Sequence, residues 1–274
     1  MLSNQKQMEQ EIILPSIKVL GKDLLYLTKA QKVWTITKPF LCCFGYFYFA
    51  SNELWIMAIL SVVILMFVTY VSTSHDLVHG TLKLHPGVNR FFLSIIEMLT
   101  LRSGHAFKVC HINHHRNFPK ENDIEGASIH MKPHELILEG IIYLYKLFFW
   151  ARKHSKTKDR IWIHVEGTLF LIYIVIAILL YQHYPFLLYY FLLVQMGSWL
   201  YPLFTVYIPH KVNYTHPVFQ TKLFRGPIIS FFFAHHNYHL EHHLYPMVPH
   251  QNWRKLGKRL LPYLKNYNLE TIKL

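Results

Sequence analysis

Four stretches of this chain, at about 33–50, 54–71, 161–181 and 184–208, are apolar over lengths that a water-soluble domain rarely needs. A bilayer core takes about 20 mostly apolar residues per helix, so each is expected to cross a membrane. The stretch at 54–71 is the cleanest. Only Ser51, Asn52 and Glu53 separate the first two, and only Gln182 and His183 the last two. The expected fold is therefore an all-α integral membrane protein with four transmembrane helices in two hairpins. Such a plan puts both ends of the chain and its middle segment on one side. A charged content of 16%, below that of ordinary soluble domains, agrees.

The basic residues test that plan. Of 28 Lys and Arg, all but Lys38 lie before 33, between 72 and 160, or after 208, and neither hairpin tip carries one. Lys38 is near enough to a helix end to snorkel. The positive-inside rule then places both termini and the middle segment in the cytoplasm. The net charge of +13 is explained by a membrane face, with no need of a nucleic acid, since no basic patch is interleaved with stacking aromatics. Two shorter apolar pieces, 91–101 and 137–150, are expected to lie in the interface or re-enter it. The basic run 151–160 after the second suits anionic headgroups or is simply solvated. The first 30 residues lack the ordered regions of a cleaved signal. Cys42, Cys43 and Cys110 show neither disulfide nor zinc spacing, which fits a reducing compartment. With no repeat or linker, 1–274 is read as a single domain.

Twenty histidines are concentrated where this plan brings them together. His75 and His79 form HDLVH, His111, His114 and His115 form HINHH, and His239, His242 and His243 form HLEHH. On a helix, positions i, i+3 and i+4 share a face, so each segment points its imidazoles one way. Neutral imidazole binds iron, zinc and copper. Eight nitrogens are too many for one ion and suit two, each with an open position. All three clusters fall on the predicted cytoplasmic side, in a helical cap holding a histidine-rich di-metal site. The protease signature HExxH is absent, because Asp76 follows His75 and Glu241 does not stand where that motif needs its base.

HDLVHG at 75–80, HINHH at 111–115 and NYHLEHHLYPMVP at 237–249 together resemble the membrane fatty acid desaturase superfamily, which includes acyl-lipid desaturases and carotenoid ketolases and hydroxylases. The likeness extends from about 54 to 256. It implies two iron ions held by the eight box histidines, with O2 as co-substrate, and a ninth ligand at His210 of YIPHK. His235, four residues before His239, is expected on the same helix face as a supporting residue. Asp76, Asn237 and Glu241 are expected to take the second N–H of ligating histidines; Asp123 and Glu125 are either further such supports or part of a solvated loop. Trp199, Tyr201, Phe204 and Tyr207 are candidate substrate-lining residues, or plain helix packing.

An alkyl C–H bond has neither an acidic proton nor a leaving group, so the metal must carry the hard step. The expected function is O2-dependent oxidation of a lipid C–H bond, foremost fatty acyl desaturation, with a carotenoid ring ketolase or hydroxylase as the alternative. The substrate would come from the membrane. No GxGxxG fingerprint or fused redox module is evident, so the resemblance implies an external donor of ferredoxin or cytochrome type. A reading of another class is a non-catalytic metal-binding or transport protein. A transporter places ionisable ligands at mid-membrane, whereas these spans hold few.

Overall fold

A computed structural model describes residues 13–211, 216–226, 230, 235–267, 269 and 271–273. The chain divides into two compact units, one of residues 28–208 and one of 1–27 with 209–274.

The 28–208 unit is built of helices. Helix α1 (Lys29–Ser51) begins at a capping box: Thr28 Oγ1 accepts from Gln31 N–H, and the Gln31 side chain accepts from Thr28 N–H. A tight turn through Glu53, at φ 60°, leads into α2 (Trp55–Val78). α2 continues seven residues past the expected span, through a π-helical segment at Val68–Thr73. α3 (Pro86–Leu99) and α4 (Gly104–Asn117) follow, then α5 (Glu135–His154), α6 (Thr157–Leu179) and α7 (Pro185–Tyr207), whose last turns, from Pro202, are again π-helical.

Among the described residues, three helices, α2, α6 and α7, are long and apolar enough to cross a membrane. α1, expected as the first of four spans, has the length at 23 residues but falls outside this set. Lys38, Pro39 and several Thr and Tyr residues dilute its apolar content. Lys38 Nζ donates to Ser72 Oγ of α2 at 2.8 Å. α1 is nonetheless bound into the bundle. Pro39 has no N–H, which deprives the Thr35 carbonyl of its helical donor, and Thr73 Oγ1 donates to that carbonyl instead at 2.9 Å. Tyr46 reaches the Phe186 carbonyl of α7 at 2.7 Å. A Cβ on Gly45 would stand 3.2 Å from Ser61 Oγ, so α1 and α2 approach closely there.

The 1–27/209–274 unit packs around Leu20, Leu24, Trp253, Leu256 and Leu260. Strands β1 (Leu223–Arg225) and β2 (Thr271–Lys273) pair in parallel, Leu223 opposite Thr271. Between them in sequence lie α8 (His239–Leu244) and α9 (Trp253–Leu264). α9 is amphipathic: Trp253, Leu256, Leu260 and Leu264 are buried, while Arg254, Lys255 and Lys258 face solvent.

Candidate metal centre

The histidine boxes divide between the two units. In the 28–208 unit, His75 lies where the π-helical segment returns to α-helix, and His79 caps the end of α2. His111, His114 and His115 occupy the last turns of α4, as their spacing predicts. That helix starts at Ser103, whose Oγ accepts from Ala106 N–H, and crosses α3 where a Cβ on Gly104 would fall 2.5 Å from the Leu93 carbonyl oxygen. His79, His111 and His115 each offer a nitrogen within 4.8 Å of the others. The His75 ring joins them, 4.5 Å from that of His111. His114 stands somewhat apart, its ring 6.0 Å from those of His111 and His115.

The far nitrogens of these rings show how they are oriented. His75 Nδ1 lies 2.6 Å from the Tyr70 carbonyl, His111 Nδ1 3.1 Å from Glu125 Oε1, and His114 Nδ1 2.7 Å from Asp123 Oδ2. A carbonyl oxygen only accepts, as does a carboxylate oxygen that carries no proton, so each Nδ1 donates, which leaves Nε2 with the lone pair in the neutral ring. This is the outer-shell pattern that orients metal-binding imidazoles and raises their basicity. Asp123 and Glu125 are buried, so the solvated-loop reading of that segment falls away. Gly126 makes the turn possible: a Cβ there would overlap Asp123 Oδ2 at 2.1 Å.

Burial, then the imidazoles around it, hold His111 well below the usual histidine pKa, and burial with His75 beside it brings His79 down to about 3. Both are neutral, as ligands must be. Burial would lower His114 as well, but the hydrogen bond and charge of Asp123 outweigh it and raise the pKa. Burial pushes Glu125 up to about 7 against the pull of His114.

In the other unit, His239, His242 and His243 lie on α8, and His210 pairs with Thr221 in an isolated bridge. The Nε2 atoms of His210, His239 and His243 lie 3.0–3.1 Å from one another. Three nitrogens at that spacing can hold one ion between them. His242 diverges, its ring 6.0 Å from that of His239 and 4.9 Å from Trp253.

The expected supporting residues differ in their surroundings. His235 is not on the helix of His239: it takes a left-handed conformation (φ 68°), and a 3-10 turn over His236–Tyr238 intervenes. His236 meets His239, with rings 4.6 Å apart. Buried Glu241 is taken by Arg225, Oε1 accepting from Nη2, because a buried carboxylate needs a cation or several donors. Asn237 donates to Ser230 Oγ and the Phe224 carbonyl. Asp76 Oδ1 accepts from Thr81 Oγ1 at 2.8 Å.

A cavity of about 440 Å³ opens within the 28–208 unit, in the range of lipid and small-molecule sites. Its walls are mainly apolar, among them Leu101, Phe107, Leu147 and Phe148. None of Trp199, Tyr201, Phe204 or Tyr207 lines it; Tyr201 stacks on Tyr70 at 4.5 Å, which is packing. Two buried polar pairs adjoin it: the ion pair Glu97–Arg102 at 2.8 Å, and Glu166 with its hydrogen-bonded His105 at 2.7 Å. The sequence held a signal for the second. Glu166 is the one acid in the 161–181 stretch, and an ionisable group at such a place needs a partner.

No curated protein matches the chain. The family model for fatty acid desaturase matches residues 53–274, a span that takes in every box and His210. With three membrane-length apolar helices and histidine clusters in both units, this match shows that the chain belongs to the fatty acid desaturase family.

Proposed function

We propose that this protein oxidises a C–H bond of a membrane lipid with O2 and two irons, and that the reaction is fatty acyl desaturation. The observation that carries this reading is the state of the histidines. Their nitrogens cluster, and His75, His111 and His114 each have Nδ1 held by an acceptor. His75, His79, His111, His114, His115, His210, His239, His242 and His243 are the proposed ligands. When bound, the irons supply the O2 chemistry that opens an unactivated C–H bond. Overall, an acyl –CH2–CH2– segment, O2, two electrons and two protons yield –CH=CH– and two waters.

The chain's own residues orient and enclose. Asp123 and Glu125 fix the tautomers of His114 and His111. The apolar cavity walls receive an alkyl chain and keep water from it. The electrons come from a separate ferredoxin- or cytochrome-type protein. α1 serves as the fourth span, and both termini and the histidines face the cytoplasm.

Expression in a carotene-producing host, followed by analysis of all lipids and by metal analysis, tests this. New double bonds in acyl chains with two irons per protein are the expected result. Oxygenated carotenoids would replace desaturation by ring oxidation. Zinc or copper at variable loading, with no lipid change, would end the enzymatic reading.

A further inference from the structure

Tyr70 lines the cavity, contacts one box histidine and reaches a second through Glu125. Its carbonyl accepts from His75 Nδ1 at 2.6 Å. Its hydroxyl donates to Glu125 Oε1 at 3.1 Å, the same oxygen that accepts from His111 Nδ1. Its side chain lines the cavity beside Phe107, ring centroids 4.7 Å apart, with the Arg102 guanidinium 4.9 Å above it. Other lining residues, such as Phe149 and Tyr145, are exposed, whereas Tyr70 is 2% exposed, so Tyr70 forms part of the cavity's inner end.

The backbone under Tyr70 differs from that of its neighbours. Tyr70 lies inside the Val68–Thr73 π-helical segment, which ends two residues before His75. Such segments relax the regular hydrogen-bond ladder and recur at functional sites. A displacement of Tyr70 there moves a carbonyl on one histidine and a hydroxyl on the support of another.

We propose that Tyr70 is a positioning residue that couples occupancy of the cavity to the metal-binding histidines: a chain seated against its ring shifts His75 through the carbonyl and His111 through Glu125. This rests on the functional reading above for what fills the cavity. It assigns Tyr70 no part in the chemical step.

The test uses purified full-length protein loaded with Co2+, whose visible d–d band reports the ligand field, and stearate as the probe. Stearate is expected to bind and to shift the band. In Tyr70→Phe, stearate should still bind within about 3-fold of the original affinity, but the band shift should be clearly reduced, because the hydroxyl route to His111 is gone while the main-chain carbonyl on His75 remains. Release of Co2+ to a chelator should quicken by about 10-fold, the low end for outer-shell changes. Glu125→Gln should lose part of the shift, which keeps the test open if Tyr70→Phe does not fold. Phe148→Leu alters the wall without touching either histidine, and should weaken stearate binding while leaving the shift at saturation intact.

An undiminished shift in Tyr70→Phe would overturn the proposal. So would the absence of any shift in the unaltered protein, or loss of the shift in Phe148→Leu. If the iron-loaded protein oxidises no lipid while the cobalt response follows this pattern, the functional reading fails and the coupling stands.

Discussion

HINHH in α4 and HLEHH in α8 have the same spacing, yet their surroundings treat them differently. In the first, acids from a loop eight to fourteen residues further on turn back, and Asp123 and Glu125 accept from His114 and His111. In the second, the acid lies inside the box, and Arg225 claims it. Identical spacing shares a face in both cases. Whether a histidine is backed by a carboxylate depends on which cation or imidazole reaches that carboxylate first. Glycines mark both arrangements: Gly126 leaves room for Asp123, and Gly257 lets α9 approach Glu241, where a Cβ would come within 2.6 Å of Oε1.

The largest expected effect would erase the difference between the two boxes. His111→Ala and His239→Ala should each abolish turnover while the protein stays in the membrane. Full turnover in either, measured by acyl-chain analysis, would remove that box from the centre. The contrast sharpens at the carboxylates. Asp123→Asn and Glu125→Gln should each lower metal affinity or activity by about 10- to 100-fold. Glu241→Gln should leave metal retention nearly unchanged and instead destabilise the fold by about 1–3 kcal/mol, since it leaves Arg225 without its buried partner. A chelator-release assay and a thermal melt on the same preparations separate these outcomes. Gly126→Ala should then act on metal retention, and Gly257→Ala on the melt.

The smallest effect is one of pH, read on the metal-free protein. With its folded pKa lowered to about 3, His79 stays neutral where an unfolded chain's histidine gains a proton. The unfolded state therefore binds more protons below about pH 6.5, and stability falls as pH drops from there toward 3. His79→Gln cannot titrate and should flatten that limb in a pH series of melts. An unchanged slope would mean that His79 is not held neutral.

Much of the site was legible because its signals are local. Helical period alone puts His111 and His115, or His239 and His243, on one face, and both pairs lie so in the structure. The same logic failed at His235, because it assumed a helix that a left-handed residue interrupts. Glu125 was readable only as an acid near the boxes, and Tyr70 carried no signal. Their roles depend on contacts 55 and 14 residues apart in the chain.

By itself, the amino-acid sequence determined the apolar lengths that favour a membrane, the count and spacing of the box histidines, and the family likeness. These follow from composition and period, which act over a few residues at a time. Only the tertiary structure decided that Glu125 serves His111 while Glu241 serves Arg225, and that α1 is less apolar than its partners but tied to them. It also placed Tyr70 between a cavity and two histidines. The physical reason is that a buried polar group must find a partner wherever the packed chain brings one, and no local pattern encodes which partner arrives.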